Sequence, residues 1–294
     1  MDNSMVLSQI EQYRQLSTKR NECMSDSSYQ TLSYYMGSYL RYLGNGKIDK
    51  QSIADYLIQS NLAQTSKNTV IKSLGAFLSW YGYISIQEQQ ALAAKFKGIS
   101  KMWSSEPLTD DLVAEILEAS SKKRGYFVSV RDPAIFMLLA TIGVRVSQAT
   151  NLLRADMVDT GDYIEYKVPL LKENKLSSVI QRKSSIKRVS KERMIGNLCH
   201  YDIIAKWLKI HDGNSDYFFY SSQAPQMKRR QIEKICSNMS EVIGVHIKPH
   251  SFRHYVATKI AKQHGIERAA VALDHVNIMT TQRYLNPDAL SINM

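Results

Sequence analysis

The chain has 294 residues, 44% of them hydrophobic, which is enough apolar material for one large domain or two domains of ordinary size. Its 38 Lys and Arg residues outnumber its 27 Asp and Glu residues, and the net charge of +11 favours a polyanionic partner, nucleic acid before an anionic membrane surface. No stretch is apolar enough to span a membrane, the N-terminus lacks the pattern of a secretory signal, and Cys23, Cys199 and Cys236 fit no disulfide or metal-ligand spacing. We therefore expect a cytoplasmic protein.

The first hundred residues predict a helical domain. Gly44-Asn45-Gly46 predicts the end of one of its helices, and two further amphipathic segments follow around residues 53–57 and 70–81. Residues 96–106 interleave lysines with glycine and serine, which is typical of an exposed linker. We therefore expect a helical domain over residues 1–95 and a basic linker over 96–106. The clearest apolar helix face is formed by Leu32, Tyr35, Met36, Tyr39, Leu40 and Leu43.

Residues 107–294 predict a second domain with more varied structure. Thr109 is expected to cap the first helix, and an apolar helix over residues 132–142 is expected to end at Gly143. Residues 1–106 carry 11 basic and 8 acidic residues, which leaves 27 and 19 for the rest, so both parts have a positive excess. The predicted fold class is mainly α with a small β-sheet or hairpin.

Three segments of this second domain predict strands. Residues 163–168 alternate between apolar and polar side chains. Residues 178–183 and 186–190 predict two further strands joined by the two-residue turn Ser184-Ser185. The region is strongly basic, which suits a hairpin that lies along a phosphate backbone. Its cations are Lys172, Lys175, Arg182, Lys183, Lys187, Arg188 and Lys191.

Two segments place cationic side chains where they can bind an anion. Arg145 follows Gly143 at the end of the apolar helix, so backbone on both sides can aim its guanidinium at two phosphate oxygens. His250 and Arg253 lie one helical turn apart and point the same way. The plainer explanations are a surface ion pair for Arg145 and a solvated basic helix start for the other two residues.

Two more segments carry His275 and Tyr284 near the end of the chain. His275 lies in a turn between two helical runs, and Pro287 is expected to end a helix just after Tyr284. A histidine in such a turn is more often structural, and Tyr284 is one of 17 tyrosines. Neither residue would be singled out without the other segments.

The four segments occur in an order that resembles the catalytic domain of the tyrosine recombinase (phage integrase) family. That family has G-[LV]-R-[IV]-S, H-x-L-R-H, L-G-H and T-x-x-Y boxes in this order. Here they stand as Gly143-Val144-Arg145-Val146-Ser147, His250-Ser251-Phe252-Arg253-His254, Leu273-Asp274-His275 and Thr281-Gln282-Arg283-Tyr284. The resemblance implies a SAM-like, helical core-binding domain at 1–95 and a mixed α/β catalytic domain at 107–294, which close as a C-shaped clamp around DNA.

The resemblance also implies a role for each side chain. Tyr284 attacks a DNA phosphodiester and forms a 3′-phosphotyrosyl link, while Arg145, Arg253 and His275 stabilise the charge on the phosphate oxygens. His250 can accept the phenol proton as general base. The family's chemistry needs neither a metal ion nor a nucleotide cofactor, and the sequence has no P-loop signature and no cluster of carboxylates for a metal.

The family also has a catalytic lysine in the turn between two strands, which protonates the leaving 5′-hydroxyl. Lys183 is the best match to this position. Lys175 and Lys187 are alternatives, because the sequence alone does not fix the register of the hairpin.

The chain departs from the family pattern at several positions. Phe252 replaces the usual Leu, and Asp274 replaces the usual Gly. Gln148 stands where an acidic residue usually supports the histidines of the active site, and we expect it to form hydrogen bonds without a charge. Few residues follow Tyr284, which puts in doubt the C-terminal helix that docks on a neighbouring protomer in many relatives.

The resulting hypothesis is a site-specific DNA recombinase with the short Xer/Cre-like layout, without an arm-binding domain. It would integrate, excise or resolve a mobile element or replicon. The expected partners are double-stranded recombination sites, other copies of the chain in a synaptic tetramer and accessory DNA-bending or directionality factors, with the protein at the nucleoid when bound to DNA. The alternatives are a topoisomerase of type IB, a catalytically idle DNA-binding regulator and a peripheral binder of membranes or acidic proteins.

Overall fold

The computed structural model describes residues 3–16, 24–96, 108–170, 184–211, 213, 215–275 and 277–282. The chain divides into two compact units, residues 1–101 and 102–294, and each is considered by itself. The predicted strand at 178–183 and the candidates Lys175, Lys183 and Tyr284 lie outside the described residues.

The first unit is a group of helices around its own apolar core. Its helices are α1 (Asn3–Leu16), α2 (Asp26–Leu43), α3 (Lys50–Gln59), α4 (Gln64–Trp80) and α5 (Ile86–Lys95). The predicted stop of α2 is confirmed, because Gly44 follows its last residue with a positive φ of 56°. Asp49 and Ser85 cap α3 and α5 through their side chains. The core of this unit includes Leu32, Met36, Tyr39, Leu57, Val70, Leu74, Phe77 and Leu78.

The second unit is also mainly helical. Its helices are α6 (Asp110–Ser121), α7 (Tyr126–Ile142), α8 (Val146–Thr150), α9 (His200–His211), α10 (Arg229–Ile243), α11 (Pro249–Ala272) and α12 (Ile278–Gln282). Thr109 accepts a hydrogen bond from the backbone N–H of Leu112 and caps α6 as predicted. Helix α7 is apolar on nearly all sides and is buried against α6, α9 and α11, so it forms the centre of the unit. Gly265, with a φ of 85°, interrupts α11.

An antiparallel sheet completes this unit, with its strands in the order β1-β2-β3. The strands are β1 (Met157–Asp159), β2 (Tyr163–Pro169) and β3 (Ser184–Ser190), and a separate short pair is formed by β4 (Met194–Ile195) and β5 (Leu198–Cys199). The predicted strand at 163–168 is therefore confirmed as β2.

The predicted turn at Ser184-Ser185 is wrong. Both residues belong to β3, where Ser184 pairs with Pro169 and Ser185 with Val168 of β2. The partner of β3 is thus β2, the preceding strand, which ends at Pro169. Two adjacent serines are a weak turn signal, and the ladder to β2 supplies backbone partners that keep them extended.

The described residues are mostly helical with small antiparallel sheets, which confirms the predicted fold class. In the part of the chain that the structure describes, no helix is both long and apolar enough to cross a membrane. The assignment of residues 1–95 as a core-binding domain remains a prediction.

Candidate active site

Arg145 lies at the start of α8, immediately after the turn that ends α7. Its backbone N–H donates to Oε1 of Gln148 at 2.8 Å, and Nε2 of Gln148 donates to the carbonyl of Pro169 at 3.1 Å. Gln148 is buried and carries no charge, so it fixes Arg145 and the end of β2 by hydrogen bonds alone. Gln148 forms hydrogen bonds, as expected, but the partners that the structure gives it are Arg145 and Pro169 and not the histidines.

The turn before Arg145 depends on the lack of a side chain at Gly143. Gly143 has a φ of 61°, in the left-handed region that favours glycine. A Cβ atom at this position would lie 2.8 Å from Cδ2 of Leu273 and 3.1 Å from the side chain of Val256. The turn therefore packs directly against α11 and the residue that follows it.

We expect Gly143→Ala to destabilise the protein by about 1–3 kcal/mol more than the matched change Gly244→Ala. Gly244 also ends a helix with a positive φ, of 76°, but a Cβ there meets no atom within 4 Å. The control thus carries the backbone strain without the clash. Urea unfolding of both variants measures the difference, and equal losses would show that the close packing at Gly143 has no energetic weight.

Arg253 joins this turn to the turn that follows α11. Its side chain is almost fully buried, at 1% exposure. Nη1 donates to the carbonyl of Gly143 at 2.5 Å, and Nη2 donates to the carbonyl of Leu273 and to Nε2 of His275, the latter at 2.9 Å. A single guanidinium therefore fixes the distance between the Arg145 segment and the His275 segment, since its planar fork holds donors in a rigid geometry.

His275 uses both ring nitrogens in this arrangement. Nε2 accepts from Arg253, because a guanidinium can only donate, and Nδ1 therefore carries the proton and donates to Oγ1 of Thr281 at 2.7 Å. Burial, followed by the charges of Arg253 and Arg145, lowers the pKa of His275 to about 4. The ring is consequently neutral near pH 7, with its N–H directed at Thr281 in the absence of DNA.

The state of His275 can be measured by ¹⁵N NMR of the imidazole. We expect the Nδ1–H tautomer and a protonation midpoint near pH 4, well below the ordinary pKa of 6.5. Because the unfolded state then binds more protons between these two values, the stability that His275 contributes is present above pH 6.5 and is lost as the pH falls toward 4. An Nε2–H tautomer or a midpoint near 6.5 would contradict the hydrogen bonding described here.

His250 lies at the start of α11, one turn before Arg253, and its ring is exposed. Its ring lies edge-on to that of His254, with 5.5 Å between centroids. Partial desolvation by neighbouring atoms, followed by the charges of Arg253 and Arg145, lowers the pKa of His250 below its usual value. A neutral imidazole near pH 7 retains a lone pair that can accept a proton.

Arg145 and His250 line one cavity of about 950 Å³. Its wall is formed by the start of α8, by α10 and by the loop before α11, and it carries the further basic side chains Arg229, His246 and Lys248. The structure thus brings Arg145 and His250 to one cavity, and it links Arg253 and His275 directly to each other. Arg253 connects the two pairs through the carbonyl of Gly143.

Thr281 is a site residue whose role the sequence analysis missed. It lies in α12, is fully buried and holds the proton of His275. The signal that could have found it is the T-x-x-Y spacing, in which Thr281 stands three residues before Tyr284 in the sequence. The hydrogen bond sets the position of α12 relative to His275.

The cations of β3 and Lys191, which directly follows that strand, have acidic partners that the sequence did not indicate. Nζ of Lys187 lies 2.7 Å from Oδ1 of Asp274. Farther along, Nε of Arg188 lies 3.0 Å from Oε2 of Glu165, and Nζ of Lys191 lies 2.8 Å from Oδ1 of Asp159. Among the described residues, no group of three or more His, Cys, Asp or Glu side chains could hold a metal ion.

Comparison with known proteins gives a consistent result. Residues 106–290 match the phage integrase family. Tyrosine recombinase XerA of Thermococcus onnurineus is 24% identical over 95% of this chain and 89% of its own length, and TnP I resolvase of Bacillus thuringiensis is 25% identical over 90% and 87%. The fold resembles that of XerH recombinase bound to difH substrate, with a TM-score of 0.70 at 15% identity over 99% of this chain and 84% of that one. It also resembles a lambda integrase tetramer bound to a Holliday junction, with a TM-score of 0.67 at 14% identity over 98% and 79%.

Proposed function

The chain belongs to the phage integrase family of tyrosine-type site-specific recombinases, and on that premise we propose that it cleaves and rejoins DNA through a 3′-phosphotyrosyl intermediate on Tyr284. The observation that carries the proposal is the guanidinium of Arg253, which ties the Arg145 turn to His275. These three side chains come from segments far apart in sequence, and a phosphate is the ligand that matches two guanidiniums and an imidazole.

The phosphate chemistry follows from these groups. Attack on phosphorus builds negative charge on the two non-bridging oxygens, and cationic donors aimed at those oxygens stabilise it. Arg145 and Arg253 supply the donors. When a phosphate takes over the contact between Arg253 and His275, the ring of His275 can turn its own N–H toward a phosphate oxygen. The lowered pKa of His250 supports its role as general base, because the ring is neutral and able to accept the phenol proton.

The bonds and protons of the step balance without a further reactant. The Tyr284 oxygen bonds to phosphorus and gives its proton to His250. The bond from phosphorus to the 5′ oxygen breaks, and that oxygen takes a proton from Lys183. The phosphotyrosyl ester preserves the energy of the phosphodiester, so the 5′-hydroxyl of another strand can reverse the step and release Tyr284.

The partners follow by analogy with the similar structures. XerH binds its difH substrate, and lambda integrase forms a tetramer on a Holliday junction. We extend both properties to this chain: double-stranded recombination sites as substrate and self-association as a tetramer in the synaptic complex. The same proposal includes accessory factors that bend DNA or set the direction of the reaction. It also includes a role on a mobile element or replicon.

The test is a denaturing gel. DNA sites are first selected by the wild-type protein from a library of random duplexes. They are then rebuilt with a nick close to the cleavage position, so that the short fragment with the new 5′-hydroxyl diffuses away and the covalent product is trapped. A DNA strand that stays with the protein in denaturant supports the enzyme, and binding without any covalent product identifies an idle regulator. Relaxation of plasmids that lack the selected site would identify a topoisomerase instead.

A further inference from the structure

The residue before His275 has an unusual backbone. Asp274 has a φ of 53°, and it is the one non-glycine with a positive φ among the residues that the structure describes. Residues with a side chain rarely adopt this conformation, because their Cβ approaches the following carbonyl. Asp is one of the few residue types that tolerate it, and the hydrogen bonds of the Asp274 side chain help to hold the turn.

The carboxylate of Asp274 binds the first residues of β3. Oδ2 accepts from the hydroxyl of Ser185 at 2.9 Å, and Oδ1 accepts from Nζ of Lys187 at 2.7 Å. The same ammonium donates to the carbonyl of Ala272 at 2.8 Å. Both ionic side chains are largely buried, at 13% exposure for Lys187 and 20% for Asp274, so water and salt screen this pair less than a surface pair.

Strands β2 and β3 form a hairpin, and their paired ends at Pro169 and Ser184 are thereby held from two sides. On one side, Asp274 ties β3 to the turn that carries His275. On the other, Pro169, which pairs with Ser184, accepts from Gln148, which in turn fixes the backbone of Arg145. The paired ends of β2 and β3 thus contact both segments that carry the phosphate-binding side chains.

We infer that Asp274 is a positioning residue for strand cleavage, and that it acts by holding β3 against the His275 turn through Lys187. This inference rests on the function proposed above. It makes Lys187 a structural partner of Asp274, with its ammonium committed to the turn. The contact keeps the hairpin and the phosphate-binding side chains in one relative placement, on which the reaction depends because small displacements of reacting groups slow a reaction sharply.

The experiment compares Asp274→Gly, Asp274→Asn, Lys187→Met and the double variant Asp274→Gly/Lys187→Met. Each is assayed for the single-turnover rate of covalent adduct formation at saturating DNA, for the DNA concentration at half-saturation and for thermal melting. Asp274→Gly removes the carboxylate but also relieves the strained φ, so this variant is expected to fold. Lys259→Met is the matched control, because Lys259 forms an ion pair from α11 to Asp110 that does not involve the hairpin.

We expect Asp274→Gly and Lys187→Met to lower the cleavage rate about ten- to one-hundredfold, with half-saturation unchanged. The double variant is expected to be no slower than the slower single variant, because the two residues act through one contact. Asp274→Asn keeps an accepting oxygen and is expected to fall between wild type and Asp274→Gly. Lys259→Met is expected to cleave at the wild-type rate.

A wild-type rate in Asp274→Gly, or losses that multiply in the double variant, would overturn the inference. Amide hydrogen exchange provides a readout that needs no cleavage. Asp274→Gly and Lys187→Met should both speed amide exchange in β3 and at His275, whose backbone N–H donates to the carbonyl of Ala270. If the wild-type protein forms no adduct, the proposed function fails. Unchanged amide exchange in these variants would separately reject the role of the Lys187–Asp274 contact in holding β3.

Discussion

Replacement of Tyr284 by Phe is expected to abolish covalent protein–DNA adducts and to leave DNA binding intact. The change removes a single oxygen, and that oxygen is the atom proposed to bond to phosphorus. Loss of a nucleophile that acts within a set of catalytic groups lowers the rate by more than about a thousandfold. The nicked substrate measures the adduct, and a native gel shift measures binding.

Tyr126→Phe is the matched control for this prediction. Tyr126 belongs to the second unit and is 77% exposed, so loss of its hydroxyl should change neither quantity. If Tyr284→Phe still forms the adduct, another residue is the nucleophile. If Tyr284→Phe loses non-covalent binding as well, the tyrosine serves the interface and its catalytic assignment loses this support.

Replacement of Arg253 is expected to have the second largest effect. Arg253→Ala should reduce cleavage by about a hundred- to a thousandfold, because it removes the donor that is proposed to stabilise charge on the phosphate oxygens. It should also destabilise the fold, since the buried carbonyls of Gly143 and Leu273 lose their donor and an unmet buried polar group costs about 1–3 kcal/mol. Arg253→Lys keeps the charge but cannot bridge both carbonyls and His275, so it should recover stability only in part.

Arg268→Ala provides the comparison on the same helix, because Arg268 is exposed. It should melt and cleave like wild type. Single-turnover cleavage at saturating DNA, read beside the melting temperature, separates the two effects of Arg253. If Arg253→Lys cleaves at the wild-type rate, the two-pronged geometry of the guanidinium is not needed for the reaction. A wild-type rate in Arg253→Ala would contradict the proposed charge stabilisation.

Local signals in the sequence were sufficient for much of the fold. The cap at Thr109 and the stops at Gly44 and Gly143 depend on a few neighbouring residues, and the structure has all three. The pairing of the strands was predicted wrongly. The partner of Ser184 is Pro169, and such a register is decided by contacts distant in sequence, which a local turn signal cannot reveal.

The candidate site shows the same division. Arg145, His250, Arg253 and His275 could be named because their types and order follow a known motif, and the structure links them through one cavity and one guanidinium. The contact between Lys187 and Asp274 could not be predicted, because it joins residues 87 positions apart and includes a residue outside the motif. For Thr281, the sequence showed only its spacing from Tyr284 and not the hydrogen bond of its hydroxyl to His275.

The most direct test of the account is to identify the residue that carries the DNA. The trapped adduct is digested with protease and nuclease, and mass spectrometry locates the modified peptide. We expect a nucleotide 3′-phosphate on Tyr284, and the released strand should end in a free 5′-hydroxyl. A phosphate on any other residue, or a 5′-phosphate linkage, would contradict it.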